Sequence, residues 1–378
     1  MIQKSGKQPE VEKLRTINLL ECEFNFNNKI MGRAVGECAE RNNLLPKEQY
    51  GSRKRHQARH QGLNKRLLYD LVHFQRKPMI LCSNDAKSCY DRIIHAIASI
   101  AMQRLGLPIE PITCMIITIQ QMEHIIRTGF GDSDMTMSGA EETDIPFQGI
   151  LQGNGSGPVL WLAVSAPLIE MMRTRGHGIK YQTPLSYEKD ELVGFAFVDD
   201  TDLVEGDLKI ANLDIADLFE DMQETIDCWE GGVKTTGGAI RPDKSFAYPI
   251  SFDFKPSGEY FFEKVEDLGF KLTVKNHEDI REDLDLIDAD VGRETLGMFI
   301  APDGTMRDQV KAMKSKVTTW TAHVRTGTIP PRDALRCISS TIMKTLEYPI
   351  CATTLTRKEC NKLVKPIHDA AFPKVRLC

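Results

Sequence analysis

Three carboxylates in this chain stand where carboxylates are costly. In LCSNDAKSCYDRI (81–93) an apolar strand runs up to Asp85, and a charge at the end of a buried strand needs a partner. Asp91, in the same segment, precedes an amphipathic stretch and reads as a helix N-cap. In LVGFAFVDDTDLV (192–204) a second apolar strand runs into Asp199 and Asp200, and a further apolar run leaves at Leu203. That pattern is a hairpin with an acidic tip. An ordinary acidic turn remains the alternative, although such turns recruit Gly or Asn and neither is in this tip. Adjacent carboxylates repel each other unless a cation lies between them. Magnesium takes oxygen ligands and commonly uses one or two carboxylates together with substrate phosphates. Asp85 and Asp199 on neighbouring strand ends, with Asp200 in support, would bracket two Mg2+ ions (Mn2+ is possible) about 3.5–4 Å apart. That is the arrangement for in-line phosphoryl transfer.

Several elements must position these residues. Helical periodicity covers Asn28–Arg41, Arg92–Leu105, Ile109–Ile126, Val159–Arg173, Leu208–Trp229, Met306–Val324 and Pro331–Leu346. Gly106 and Gly231 read as stops, and Pro331 as a start. Strand-like runs are Met79–Asn84, Leu192–Val198, Thr201–Val204, Ser245–Phe254, Glu259–Lys264 and Gly269–Val274. Strands and helices are interspersed without regular βαβ alternation, so the fold class is α+β. The last seventy or so residues read as helical and basic.

A length of 378 residues allows two or three domain-sized cores, and 41% hydrophobic with 27% charged residues is ordinary for a soluble globular chain. The net charge of −5 argues against a uniformly basic nucleic-acid binder, but the charge is unevenly spread. Residues 50–80 carry +7, residues 259–294 carry −7 and residues 307–378 carry +9. Basic segments flanking an acidic middle suit a cleft that grips a phosphate backbone, and solvated helix faces produce the same pattern. Ten cysteines without a C-x-x-C pair or a finger-like histidine spacing point away from zinc and towards reduced, intracellular thiols. The longest apolar stretch, Pro158–Ile169, is too short to span a bilayer.

DAKSCYD (85–91) and FVDD (197–200) resemble two motifs of the reverse transcriptases: an aspartate followed five residues later by an aromatic, and an aromatic-x-Asp-Asp box. Between them GILQGNGSGPVLW (149–161) is similar to the family's Gln-Gly element that opens a helix. Its glycines could suggest a dinucleotide fingerprint, but Pro158 follows, no strand ends just before it and no acidic ribose partner is evident. KLRTINLLECEFNFNNK (13–29) and EQYGSRK (48–54) resemble fingers segments, the second of the non-LTR retrotransposon type. GGAIRPDKS (237–245) and LGMFIAPDGT (296–305) resemble the lysine-bearing turn and the start of the primer-gripping hairpin.

The resemblance implies a right-hand polymerase with fingers (1–80), a ferredoxin-like palm (81–300, with fingers helices around 92–130) and a helical thumb (301–378). It implies an RNA template, a DNA primer and dNTPs as partners. Asp85, Asp199 and Asp200 would hold the metal ions, and Tyr90 would exclude a 2′-hydroxyl. Arg15, with Lys13 as a further candidate, would bind the triphosphate, and Gln152 and Gly153 would let backbone approach the nascent pair. Lys244 would be the acid for pyrophosphate. Arg53, Lys54, Arg55 and Arg59 would hold template, and Lys311, Lys314 and Lys316 would track the duplex. The run SRKRHQARH could instead be a nuclear-import signal. Two rivals share the scaffold: a catalytically silent nucleic-acid-binding protein, and an RNA-copying polymerase, against which the aromatic Tyr90 argues.

Overall fold

The computed structural model describes residues 17–87, 89–138, 147–183, 185–210 and 213–375, and the backbone of 2–3 and 14–15. Helices α1 (Cys22–Arg41) and α2 (Ala58–Gln75) lead to strand β1 (Met79–Asn84). Then come α3 (His95–Arg104), α4 (Ile109–Gln120), a hairpin of β2 (Glu123–Thr128) and β3 (Gly131–Ser138), and α5 (Gly157–Thr174). Strands β4 (Ile179–Gln182), β5 (Lys189–Leu192), β6 (Gly194–Phe197) and β7 (Asp200–Asp207) precede α6 (Ile215–Thr235) and β8 (Phe246–Ile250). After β9 (Asp285–Leu286), strands β10 (Arg293–Thr295) and β11 (Met298–Ile300) form a hairpin. Helices α7 (Arg307–Thr326), α8 (Pro331–Cys337), α9 (Met343–Glu347) and α10 (Arg357–Ala371) close the chain.

The centre is an antiparallel sheet in the order β8-β1-β7-β6. Helices connect β1 to β6, and α6 connects β7 to β8, which gives the βαββαβ path of a ferredoxin-like palm. Strand alternation explains the layering. Ile80 and Cys82 of β1, with Leu203 and Ala247, face α5 and α6, while Met79 and Leu81, with Val204 and Tyr248, face Leu68, Tyr69 and Val72 of α2. A helical layer of α1, α3, α4 and the first half of α5 has its own core around Val35, Met102, Ile112 and Trp161. The last helices pack around Met313, Val317, Leu346 and Ile367, with α10 opened by a Thr356–Glu359 capping box. Among the described residues no helix is long and apolar enough to cross a membrane.

Some sequence expectations change. The helix expected over Ile109–Ile126 stops at Gln120, and its last residues turn into β2, where Ile125 and Ile126 alternate sides. The helix expected from Leu208 begins at Ile215, where the Asp214 side chain accepts from the Ala216 amide, and Gly231 lies inside that helix rather than after it. Asp91 does not cap a long helix: it lies in the single turn Cys89–Arg92, and α3 starts at His95. Pro331–Leu346 is interrupted by a π-helical turn at Ile338–Ile342. Helix α2 is absent from the expected helices: its arginines and lysines interrupt the apolar stripe of Leu68, Tyr69 and Val72 that packs on the sheet.

One residue of α2 is buried despite its charge. Lys65 is 2% exposed, and its Nζ donates to Asp202 at 2.9 Å and to Thr295 Oγ1 at 3.1 Å. This ion pair ties α2, the aspartate-bearing strand and the β10–β11 hairpin together. Breaking a buried pair by removing one partner strands the other charge. Lys65→Met is therefore expected to destabilise the protein by about 3–5 kcal/mol in chemical denaturation, and Lys65→Met/Asp202→Asn to recover most of the loss. A double variant no more stable than the single would show that the pair is not what Lys65 contributes.

Candidate active site

The β6–β7 hairpin closes on two residues, Val198 and Asp199, because Phe197 is paired with Asp200. Val198 has φ of 59°, while Asp199 is not in the left-handed region. Those signs are those of the type II′ turns that suit the twist of a hairpin, but glycine normally fills the first position. A β-branched residue there is strained, at a cost on the order of 1–3 kcal/mol, and such strain persists only where surrounding structure over-determines it. Here the Val198 carbonyl accepts from the buried Trp161 indole and from Gln49 Nε2.

On the neighbouring strand, Asn84 is opposite Thr201, so continuing the register sets Asp85 beside Asp200. The electrostatics agree. Asp200 is exposed as a residue, yet its carboxyl is pushed up to about 6, first by burial of the group and then by Asp199, Asp202 and Asp85, with Lys65 opposing. Lys244, in the short turn Pro242–Lys244, has its Nζ 3.7 Å from Asp85 Oδ2. Arg241, which the sequence reading did not single out, donates its amide to the Asp85 carbonyl at 2.9 Å and is paired with Asp243. The donor set is all oxygen and under-neutralised, which suits a hard divalent cation. Among the described residues no three His, Cys, Asp or Glu side chains already surround a common point. Asp85, Asp199 and Asp200 would hold an ion by rotating towards it.

Tyr90 meets Trp161 edge-on at 6.5 Å, and its hydroxyl is held well above its usual range by burial, then by Cys89 and Asp199. Trp161 in turn donates its indole to the Val198 carbonyl, so the tyrosine lies beside the aspartate turn. Cys89, also unanticipated, is 4% exposed, and its thiol is raised by burial, then by the charge and hydrogen bond of Asp199. The Gln-Gly loop is bonded to the Cys89–Arg92 turn and the residues after it. The Ile150 amide donates to the Tyr90 carbonyl at 2.8 Å, and the Gly149 amide to Ile93 at 2.8 Å. His95 Nε2 donates to the Gly149 carbonyl at 2.7 Å while its Nδ1 accepts from Gln120, which is the neutral tautomer that burial favours. The Gln152 carbonyl accepts from Asn18, and Gly153 has φ of 115° with room for no side chain, since a Cβ would lie 2.2 Å from the Asn18 carbonyl oxygen. Gln152 itself is half-buried beside this junction.

The basic candidates divide. Arg53 is turned inward, its guanidinium bonded to both Glu40 oxygens and to the Pro46 and Gln49 carbonyls, so it holds the fold rather than offering a free fork to phosphate. Lys54, Arg55 and Arg59 are exposed. Lys311, Lys314 and Lys316 are all exposed on α7, but at 3.6 residues per turn Lys316 lies about 140° around the helix from Lys311. Lys311 and Lys314 share one flank, and Lys316 takes the other. Arg15 is placed by its backbone alone, on a two-residue strand, and its side chain and Lys13 lie outside the described residues.

Residues 2–254 match the family described as reverse transcriptase (RNA-dependent DNA polymerase), which is more than half of the chain. Among solved structures the chain is similar to apo telomerase from Candida tropicalis at 10% identity and a TM-score of 0.40, covering 93% of this chain and 54% of that one. It is also similar to telomerase from Candida albicans in complex with a fragment of telomeric RNA, at 11% identity and a TM-score of 0.38, covering 92% and 51%. The chain thus spans about half the length of these telomerases. No curated protein matches it.

The raised Asp200 carboxyl makes a pH-dependent expectation. In the folded, metal-free protein the charged form is disfavoured, so the stability this group contributes is present below about 3.8 and is lost as pH rises through about 6. In chelator, Asp200→Asn should melt at a higher temperature than wild type at pH 8, with the gap closing as pH falls from 6 to 4. Equal melting temperatures at pH 8 would show that the fold does not disfavour the charged form of Asp200.

Proposed function

This chain belongs to the reverse transcriptase (RNA-dependent DNA polymerase) family, and we propose that it extends the 3′-hydroxyl of a DNA primer with dNTPs along an RNA template. The observation that carries this reading is the register that brings Asp85 to the aspartates of the β6–β7 turn, with Tyr90 packed on the Trp161 that bonds the same turn. Two bound Mg2+ ions would lower the pKa of the primer hydroxyl and stabilise the charge of the transition state. The residues of the chain supply the rest. Asp85 and Asp199 would be the principal ligands and Asp200 the supporting one. Lys244, 3.7 Å from Asp85, would give a proton to departing pyrophosphate. Tyr90 would set its ring against the sugar, and Gln152 and Gly153 would let backbone approach the nascent pair, with Gly153 itself packed on the Asn18 carbonyl.

Fingers (1–80), palm (81–300) and thumb (301–378) are the proposed divisions, with Arg15 on the triphosphate. Template would rest on Lys54, Arg55 and Arg59, and the duplex on Lys311 and Lys314, with Lys316 reaching it only from the other flank. The Glu48–Lys54 segment, leading into α2, supports the non-LTR retrotransposon type within the family.

Asp199→Ala is expected to reduce primer extension below about one per cent of wild type while template–primer affinity stays within a few-fold. Substantial residual extension would remove Asp199 from the metal site, and a wild-type chain that binds template–primer without extending it would mark a silent binder. Tyr90→Ala should admit ribonucleotides, because it opens the volume a 2′-hydroxyl needs. An active Tyr90→Ala enzyme that still prefers dNTPs as wild type does would place the sugar gate elsewhere.

A further inference from the structure

The segment before α2 has more to do with the aspartate turn than with template. Glu48–Tyr50 runs parallel to β6: the Ala196 amide donates to Glu48 at 3.0 Å, and the Tyr50 amide donates to Ala196 at 2.8 Å. Between them Gln49, 1% exposed, points its side chain at Val198. Its Oε1 accepts from the Val198 amide at 3.0 Å and from the Gly51 amide at 2.9 Å. Its Nε2 donates to the Val198 carbonyl at 3.2 Å and to Ser165 Oγ at 3.3 Å. All four hydrogen-bonding positions of the amide are used, and two of them take both backbone groups of the one strained residue in the turn. A carboxylate could not do this, because it has no donor. Gly51 permits the approach: a Cβ there would lie 2.2 Å from the Val198 nitrogen.

We propose that Gln49 is a positioning residue for catalysis, clasping Val198 in its left-handed conformation and so fixing where Asp199 and Asp200 present their carboxylates. The catalytic consequence rests on the polymerase reading; the clasp itself does not. The turn requires a φ that valine resists and glycine accepts, so the need for Gln49 disappears when residue 198 is glycine.

The test is a double-mutant cycle of Gln49→Met, which fills the same volume without hydrogen bonds, and Val198→Gly. Two quantities are read: hydrogen exchange of the peptide spanning residues 194–203 in metal-free protein, and the Mg2+ concentration giving half-maximal primer extension. In the valine background Gln49→Met should speed exchange and raise the Mg2+ requirement, each by about ten-fold or more. In the glycine background it should change each by about three-fold or less. Equal effects in both backgrounds would overturn the proposal and leave Gln49 as an ordinary buried hydrogen-bonding residue. Should Gln49→Met not fold, Gln49→Glu serves in the cycle, since it keeps the acceptor for the Val198 amide and loses the donor to its carbonyl. A wild-type chain without extension activity would count against the proposed function, while the exchange measurement would still decide the clasp.

Discussion

Mutual repulsion among carboxylates at one end of the central sheet is the constraint around which this protein is arranged. Asp85, Asp199 and Asp200 arrive from two strands, and Asp202 follows one step inside. The scaffold offsets the crowding unequally. Lys65 is buried against Asp202 and neutralises the inner charge, while Lys244 stands loosely beside Asp85 at the outer edge. Asp200 is left under-compensated, its carboxyl raised first by burial and then by Asp199, Asp202 and Asp85. A site with unmet negative charge on its open side and a paired charge on its closed side is one that attracts a cation from solvent.

A second cost is conformational. The turn that carries Asp199 holds a valine where glycine is easiest, and the strain is met by partners drawn from distant parts of the chain: Gln49 from before α2 and Trp161 from α5. The Gln-Gly loop is held in the same manner, by His95 and Asn18. The helical layer is thus connected to the aspartate turn by directed hydrogen bonds in addition to apolar packing. A displacement of that layer would be felt at the aspartates.

Net charge is a poor guide to this surface. The chain is acidic overall, yet much of the acidic stretch at 259–294 is locally matched: Asp283 with Lys271, Asp285 with Arg293, and Asp288 and Asp290 with Lys264. Arg53 is consumed in the same way by Glu40. Cations without such partners are what a phosphate backbone would meet, so the count that matters is of exposed, uncommitted groups.

By itself the sequence determined the carboxylates, the strands that bring them and the class of chemistry. Asp85 and the Asp199–Asp200 pair announce themselves because a charge next to an apolar β run is costly, and β1 was legible to the residue because its apolar run ends there. Local signals also gave α3, α5 and α7 nearly in full, and α1 from Asn28 onward. Gln49, Lys65, Cys89 and His95 were not legible as parts of the site. Each is an ordinary residue in its own neighbourhood, and its role arises from partners 137 residues away for Lys65 and 149 for Gln49. Arg53 and Arg59 look alike in sequence, yet one is bound inward and the other exposed. Tertiary structure alone decided such matters, because a hydrogen bond or ion pair between distant segments depends on how the chain brings them together, and no local pattern encodes that distance.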